Sequence, residues 1–196
     1  WATDQRDSHI YTSTGTVQRA YGEIGLPGGD LKFYKLNYQH QKFIPLTKDI
    51  TLMVNGEYGF GDGYGGEPLP FFRHFYACGI GSVRGFKSGS LGPHDVAPNE
   101  KDALGGNKRL VANAEFLMPL PGLGLDKSFR FGGFVDTGYV WATSQKMRLS
   151  DLRYSIGISV AWSSPFGPLK FSIAQPLNKK SGDQIERFQF QMGTSF

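Results

Sequence analysis

Residues 152–162, LRYSIGISVAW, alternate without interruption. Leu152, Tyr154, Ile156, Ile158, Val160 and Trp162 fall on one face, and Arg153, Ser155, Gly157, Ser159 and Ala161 on the other. A period of two is the repeat of an extended strand, and such strands must hide one apolar face from water. The C-terminal RFQFQMGTSF repeats the pattern, with Phe188, Phe190, Met192, Thr194 and Phe196 opposite Arg187, Gln189, Gln191, Gly193 and Ser195. Between them GPLKFSIAQPL sets Leu169, Phe171 and Ile173 against Lys170, Ser172 and Ala174. Upstream, SFRFGGFVDTGYVW, NKRLVANAEFLMP and ITLMVNGEYGFG read as strands, and so, less regularly, do DLKFYKLNYQHQKFI and GTVQRAYGEIGL. That makes eight strands, with WATDQ a candidate for the end of a ninth.

The clear strands are about 10 residues long, the length of a tilted crossing of a bilayer. Short connectors (PLTKD, SSPFGP, PLPGLGLD) alternate with long ones (ATSQKMRLSD, NKKSGDQIE and residues 62–106), as in outer-membrane barrels. The 27 glycines and 14% aromatic residues suit turns and strands, and no apolar run approaches the roughly 20 residues of a helical span. Aromatics near strand ends (Tyr58, Phe60, Tyr139, Trp141, Trp162, Phe196) are expected to form a lipid-facing girdle. The expectation is an all-β fold, an antiparallel transmembrane β-barrel wall; a soluble sandwich or soluble barrel is the alternative.

Other chemistries find little support. Cys78, the single cysteine, allows neither an intrachain disulfide nor a zinc site. The net charge of +4 comes from scattered lysines and arginines, which does not indicate nucleic acid. GDGYGG at 61–66 matches a dinucleotide-binding spacing, but EPLPFFRHF follows it where a helix would have to start. His9, His40, His74 and His94 lack metal-ligand spacing, and neither catalysis nor a cofactor is expected.

The polar faces hold the informative charges. If Phe129, Phe131, Val135, Tyr139 and Trp141 face lipid, then Arg130, Phe134 and Asp136 point inward; on the preceding strand, Asn113 and Glu115 point inward too. Two carboxylates on sequential strands then share one interior, which is costly unless a cation joins them. Residues 62–106 make a connection of roughly 45 residues, far beyond the ~12 to 15 at which loops are functional or disordered. It contains PFFRHFYACG, too aromatic for a disordered segment, and then GIGSVRGFKSGSLG, too rich in glycine for regular structure. Arg84 within it is the natural partner for Glu115 and Asp136, since a guanidinium can bridge two carboxylates. The alternative is a solvated Arg84 and two carboxylates that meet water in a pore.

VRGF (Val83, Arg84, Gly85, Phe86), FVDTG (with Phe134, Asp136 and Gly138), WSSPFGPLKFSIAQPL at 162–177 and the terminal FQFQMGTSF together resemble the BamA family of outer-membrane assembly factors. That family belongs to a superfamily with two-partner secretion transporters and organelle import barrels, and the resemblance covers essentially the whole chain. It implies a barrel of sixteen strands preceded by periplasmic POTRA repeats, of which this chain would be about the C-terminal half, without the first strand of the gate. The long loop, 62–106, would fold into the lumen with Arg84 paired to Asp136 and Glu115. The implied activity is folding and insertion of β-barrel proteins into the Gram-negative outer membrane, without ATP or a covalent intermediate. It would use a lateral gate whose one side is the last strand, 187–196, with Phe196 resembling a recognition signal. Implied partners are outer-membrane lipids and lipopolysaccharide, unfolded barrel clients, and accessory lipoproteins, mostly through the POTRA region. A secretion transporter of the same superfamily and a passive pore are the alternatives. Eight strands could also close by themselves, but side chains would then nearly fill the lumen and leave little room for a loop. A charge swap, Arg84→Glu with Asp136→Arg, is expected to restore part of what Arg84→Glu loses.

Overall fold

The computed structural model describes the chain except residues 9–10, 27, 30, 96–102, 121–127, 166 and 194–196, so Thr194 and Phe196 lie outside the described residues. Its strands are β1 (Ala2–Asp4), β2 (Gly15–Ile24), β3 (Phe33–Pro45), β4 (Thr51–Gly63), β5 (Gly85–Phe86), β6 (Lys108–Pro119), β7 (Phe129–Trp141), β8 (Arg153–Ser164), β9 (Gly167–Pro176), β10 (Ile185–Glu186) and β11 (Phe188–Met192). Nine of them form one sheet in the order β1-β2-β3-β4-β6-β7-β8-β9-β11, every pair antiparallel. WATDQ does supply the ninth strand. The glycine-rich VRGF stretch is partly regular after all: Gly85–Phe86 pairs with Ile185–Glu186, because two short extended pieces satisfy each other's backbone groups.

The two faces differ as the alternation requires, and the apolar one is the exposed one. Val54, Phe116, Val135, Ile156, Ile158, Ile173, Phe188, Phe190 and Met192 are 41–69% exposed. Asn55, Asn113, Glu115, Asp136, Ser155, Ser159, Ser172 and Gln189, on the opposite face, are buried. A soluble sandwich buries its apolar faces against each other, so this inverted order is that of a wall whose outside meets lipid. Aromatic pairs tie neighbouring strands. Phe129 stacks on Trp162 at 5.2 Å near one end of the strands and Tyr34 meets Phe60 at 5.9 Å near the other, while Phe171 meets Phe190 at 4.9 Å in mid-strand.

Trp141 departs from the expected girdle. It is 1% exposed, and its indole Nε1 donates to Asp151 Oδ2 at 3.2 Å. The connection after β7 folds back through a 3₁₀ turn, Leu149–Asp151, and gives the indole N–H the partner that lipid cannot offer.

A hydrophobic core exists, but the loop builds most of it. Phe75, Ala77, Cys78, Val83, Phe86 and Leu91 pack with Val111 of β6 and Val140 of β7, against which Tyr139 also rests. The loop therefore covers the inner face of the sheet. β1 and β11 are the sheet's two edges, and no pairing joins them among the described residues.

The inverted faces predict an asymmetric response to charge. In lipid vesicles, Ile158→Arg on the outward face of β8 should cost about 2–4 kcal/mol in a denaturant titration. On a water-exposed strand the same change would stay within ~0.5 kcal/mol.

Candidate functional site

Register decides which inner-face side chains can meet. Asn55 lies opposite Asn113, Asn113 opposite Asp136, and Asp136 opposite Ser155. The neighbouring row runs Met53, Glu115, Phe134, Gly157, Ala174. Glu115 and Asp136 are thus diagonal neighbours on β6 and β7, within reach of one large cation.

Arg84 fills that position. It is 2% exposed, as are Glu115 (1%) and Asp136 (0%) to a similar degree. Its Nε and Nη2 donate to Asp136 Oδ2 and Oδ1, both at 2.7 Å, and Nη1 donates to Glu115 Oε2 at 2.9 Å. The Arg84 backbone N–H adds a bond to Asp136 Oδ2 at 3.1 Å, and Asn113 Nδ2 donates to Oδ1 at 2.9 Å. Planar, charge-assisted pairs of this kind are the strong ones, and only arginine offers two parallel donors to one carboxylate and a third to another. Glu115 also accepts from the Ser159 hydroxyl and lies 3.5 Å from Lys170 Nζ. Two carboxylates, one guanidinium and one ammonium leave the cluster neutral, and every charge has a partner.

Each letter of the two motifs has a physical task. The Phe134 ring lies 3.3 Å from the guanidinium carbon, forming a cation–π floor. It can lie flat because Gly157 is opposite it: a Cβ there would stand 2.6 Å from the ring. Gly138 makes room for Val83, whose methyl would be 2.9 Å from an added Cβ. Gly85 takes φ +90°, against Ala174 and Pro176, and Phe86 is fully buried in the core cluster. Val83, Arg84, Gly85, Phe86, Glu115, Phe134, Asp136 and Gly138 thus come together. Phe188, Phe190 and Met192 do not; they are exposed on the outer side of β11.

The sequence reading overlooked several partners. Lys170 and Ser159 had been placed on inner faces, but only strand register brings them to Glu115. The loop has further clamps. Lys35 Nζ donates to Arg73 O at 2.8 Å and lies 4.1 Å from the Phe75 ring centre, and Arg109, paired with Glu57, donates to Tyr76 O at 3.1 Å. On the other side Arg153 holds Asp183 at 2.6 Å. Inward cations on β3, β6 and β8 were the available signal; their partners, separated by 30 residues or more in most cases, were not. Below the cluster is a cavity of about 180 Å³, lined in part by Gln39, Asn55, Arg130, Lys170 and Glu115. Arg130 Nη1 donates to Thr12 O at 2.8 Å, so the β1–β2 connection reaches under it.

Both carboxylates of the cluster are held by cations, and the Ser159 hydroxyl beside Glu115 donates to it as one more tie. The arrangement can hold a loop in place. It also bears on the charge swap: Asp136→Arg would remove the acceptor for Asn113 and for the Arg84 backbone N–H, so the doubly swapped protein should not recover.

Cys78 offers a reporter. It is the only cysteine, is buried in the loop core, and burial pushes its thiol well above the ordinary range. Maleimide labelling of Cys78 should be slow in the native protein. Arg84→Leu strands two buried carboxylates, a change that costs about 3–5 kcal/mol, and should accelerate labelling at least tenfold. Adding Glu115→Gln and Asp136→Asn to Arg84→Leu should slow it again. A second check is Phe134→Leu, which removes the ring beneath the guanidinium and should speed labelling with all charges intact.

Known proteins resemble the chain along essentially its whole length. The family model described as the Omp85 superfamily domain matches residues 1–196. The chain is 40% identical over its whole length to the outer membrane protein assembly factor BamA of Neisseria meningitidis serogroup B, and covers 28% of that protein. It is 32% identical over 98% of its length to the BamA of Nitratidesulfovibrio vulgaris, covering 24% of it. It is 28% identical over 98% to the mouse sorting and assembly machinery component 50 homolog, covering 44%. The crystal structure of BamA from Haemophilus ducreyi lacking POTRA domains 1–3 superposes with a TM-score of 0.89 at 31% identity, over 97% of this chain and 40% of that one. The chain therefore spans less than half the length of these relatives. With a family model matched from end to end and a solved BamA barrel of the same fold, the chain belongs to the Omp85 superfamily.

Proposed function

We propose that this chain is part of the barrel wall of an outer-membrane assembly factor, which folds and inserts β-barrel proteins into the outer membrane of Gram-negative bacteria. The observation that carries the reading is the edge at β11. Its five residues pair with β9 on one side, its apolar face is turned outward, and among the described residues no strand pairs with its other side. Such an edge is a template for one more strand, and in a lipid wall the incoming strand satisfies backbone groups that nothing else there can satisfy. Unfolded barrel polypeptides are the clients with that chemistry. The relatives' printed names, assembly factors in bacteria and an assembly-machinery component in mouse, support the same reading. Lipids and lipopolysaccharide would contact the outer face, and accessory lipoproteins would dock on parts of the protein beyond this chain.

In this reading Val83–Phe86 and the carboxylates of β6 and β7 form a latch that holds the loop against the inner face. A loop so held takes up space that a passive pore would leave to water, which favours assembly over conduction. No step requires a cofactor or a covalent intermediate; the driving force is burial of the client's apolar face and closure of its hydrogen bonds.

The test uses the full-length protein in lipid vesicles, supplied with an unfolded barrel client. A photocrosslinker at position 190 should capture the client during insertion, and Arg84→Glu should slow insertion several-fold. A protein that gives no capture at β11, or one that inserts clients at the normal rate with Arg84→Glu, would sink the proposal.

A further inference from the structure

The last strand does not keep to a single partner. β11 pairs with β9 from Phe188 to Met192, and Ala174 N donates to Arg187 O at 2.9 Å. Immediately before this, β10 turns to the loop: Ile185 pairs with Phe86 and Glu186 with Gly85, and Lys87 N donates to Gln184 O at 2.9 Å. Side chains repeat the connection. Gln189 lies on the inner face of β11, opposite Ser172, and is buried; its Nε2 donates to Phe86 O at 2.8 Å. The close fit of Gly85 against Ala174 and Pro176 seats the loop on β9, where an added Cβ would stand 3.0 Å from the Ala174 methyl.

Arg84 is tied to β6 and β7, and two residues later Phe86 is tied to β10 and β11. The short Val83–Phe86 segment is therefore a brace that passes over β8 and β9 and joins the acidic pair to the edge of the sheet. Among the described residues β11 pairs with β9 over five positions, against ten to thirteen for the longer strands, and this brace adds to what fixes it.

We propose that the brace couples the latch to the edge, with Gln189 as the positioning residue. While Arg84 is held by Glu115 and Asp136, the Phe86 carbonyl and the β5–β10 pairing keep the last strand in place; release of the loop and freeing of the edge are one event. The functional meaning of this coupling rests on the reading of β11 as the strand that receives clients, but the coupling itself can be measured with no client present.

Hydrogen–deuterium exchange on the full-length protein in a lipid disc tests it. Gln189→Leu removes the donor to Phe86 and should speed exchange at residues 85–87 and 185–192 by roughly three- to tenfold, the effect of one hydrogen bond, with residues 113–115 and 134–136 unchanged. Gln189→Met, of nearly the same size and uncharged but without the donor, should act alike, which guards against a packing defect in the leucine variant. Arg84→Leu should speed exchange at 185–192 although it touches neither β10 nor β11. The double variant Arg84→Leu/Gln189→Leu should exceed Arg84→Leu alone by little, because coupled sites are not additive. Unchanged exchange at 185–192 in Arg84→Leu, or a double variant equal to the product of the two singles, would overturn the coupling and leave the assembly reading standing. Intact coupling in a protein that inserts no client would overturn the assembly reading instead.

Discussion

Two carboxylates that share a covered face of a sheet are tolerable only if a cation comes to them, and here the cation arrives from a loop. Glu115 and Asp136 sit on adjacent strands with no solvent to screen them, and the three side-chain bonds of Arg84 turn a repulsive pair into an attachment point. Ser159 takes the one carboxylate oxygen that Arg84 leaves free, Glu115 Oε1, while Asn113 and Lys170 share oxygens with the guanidinium. The loop core forms around this fixed point. Val83 and Phe86, on either side of Arg84, pack into the cluster made with Val111 and Val140.

The same attachment explains how a sheet with an apolar outside can have an ordered inside. A membrane wall cannot draw on a large hydrophobic interior, since its apolar faces are turned to lipid. The loop brings its own apolar residues and places them on glycine-bearing positions of the wall. Gly138 and Gly157 matter because they lower the surface of the sheet beneath Val83 and Phe134. Polar clamps at Lys35 and Arg109 hold the rest of the loop by its carbonyls, and Arg153 holds the β9–β10 connection by Asp183. The result is a clamped inner element close to a strand that pairs over five residues.

Much of this could be read from the residues in order. Alternation along 152–162 and 187–192 is local, and a period of two marks both the strand and its two faces. Arg84, Glu115 and Asp136 were legible because three inward or loop charges with no local partners must find one another. What could not be read was anything that depends on which residues stand side by side across strands. Lys170 lies 55 residues from Glu115 and Gln189 lies 103 from Phe86, and neither pairing leaves a periodic trace. Trp141 shows the same limit: its phase is outward, yet a turn ten residues later covers it.

The sequence by itself determined the strands, their apolar and polar faces and the charges that need partners, because each follows from the chemistry of a residue and its immediate neighbours. Only the tertiary structure decided the register between strands, and with it the neutral cluster around Arg84, the loop core on the inner face and the tie from Phe86 to the last strand. Register is the sum of many backbone bonds between distant segments, and no single residue specifies it.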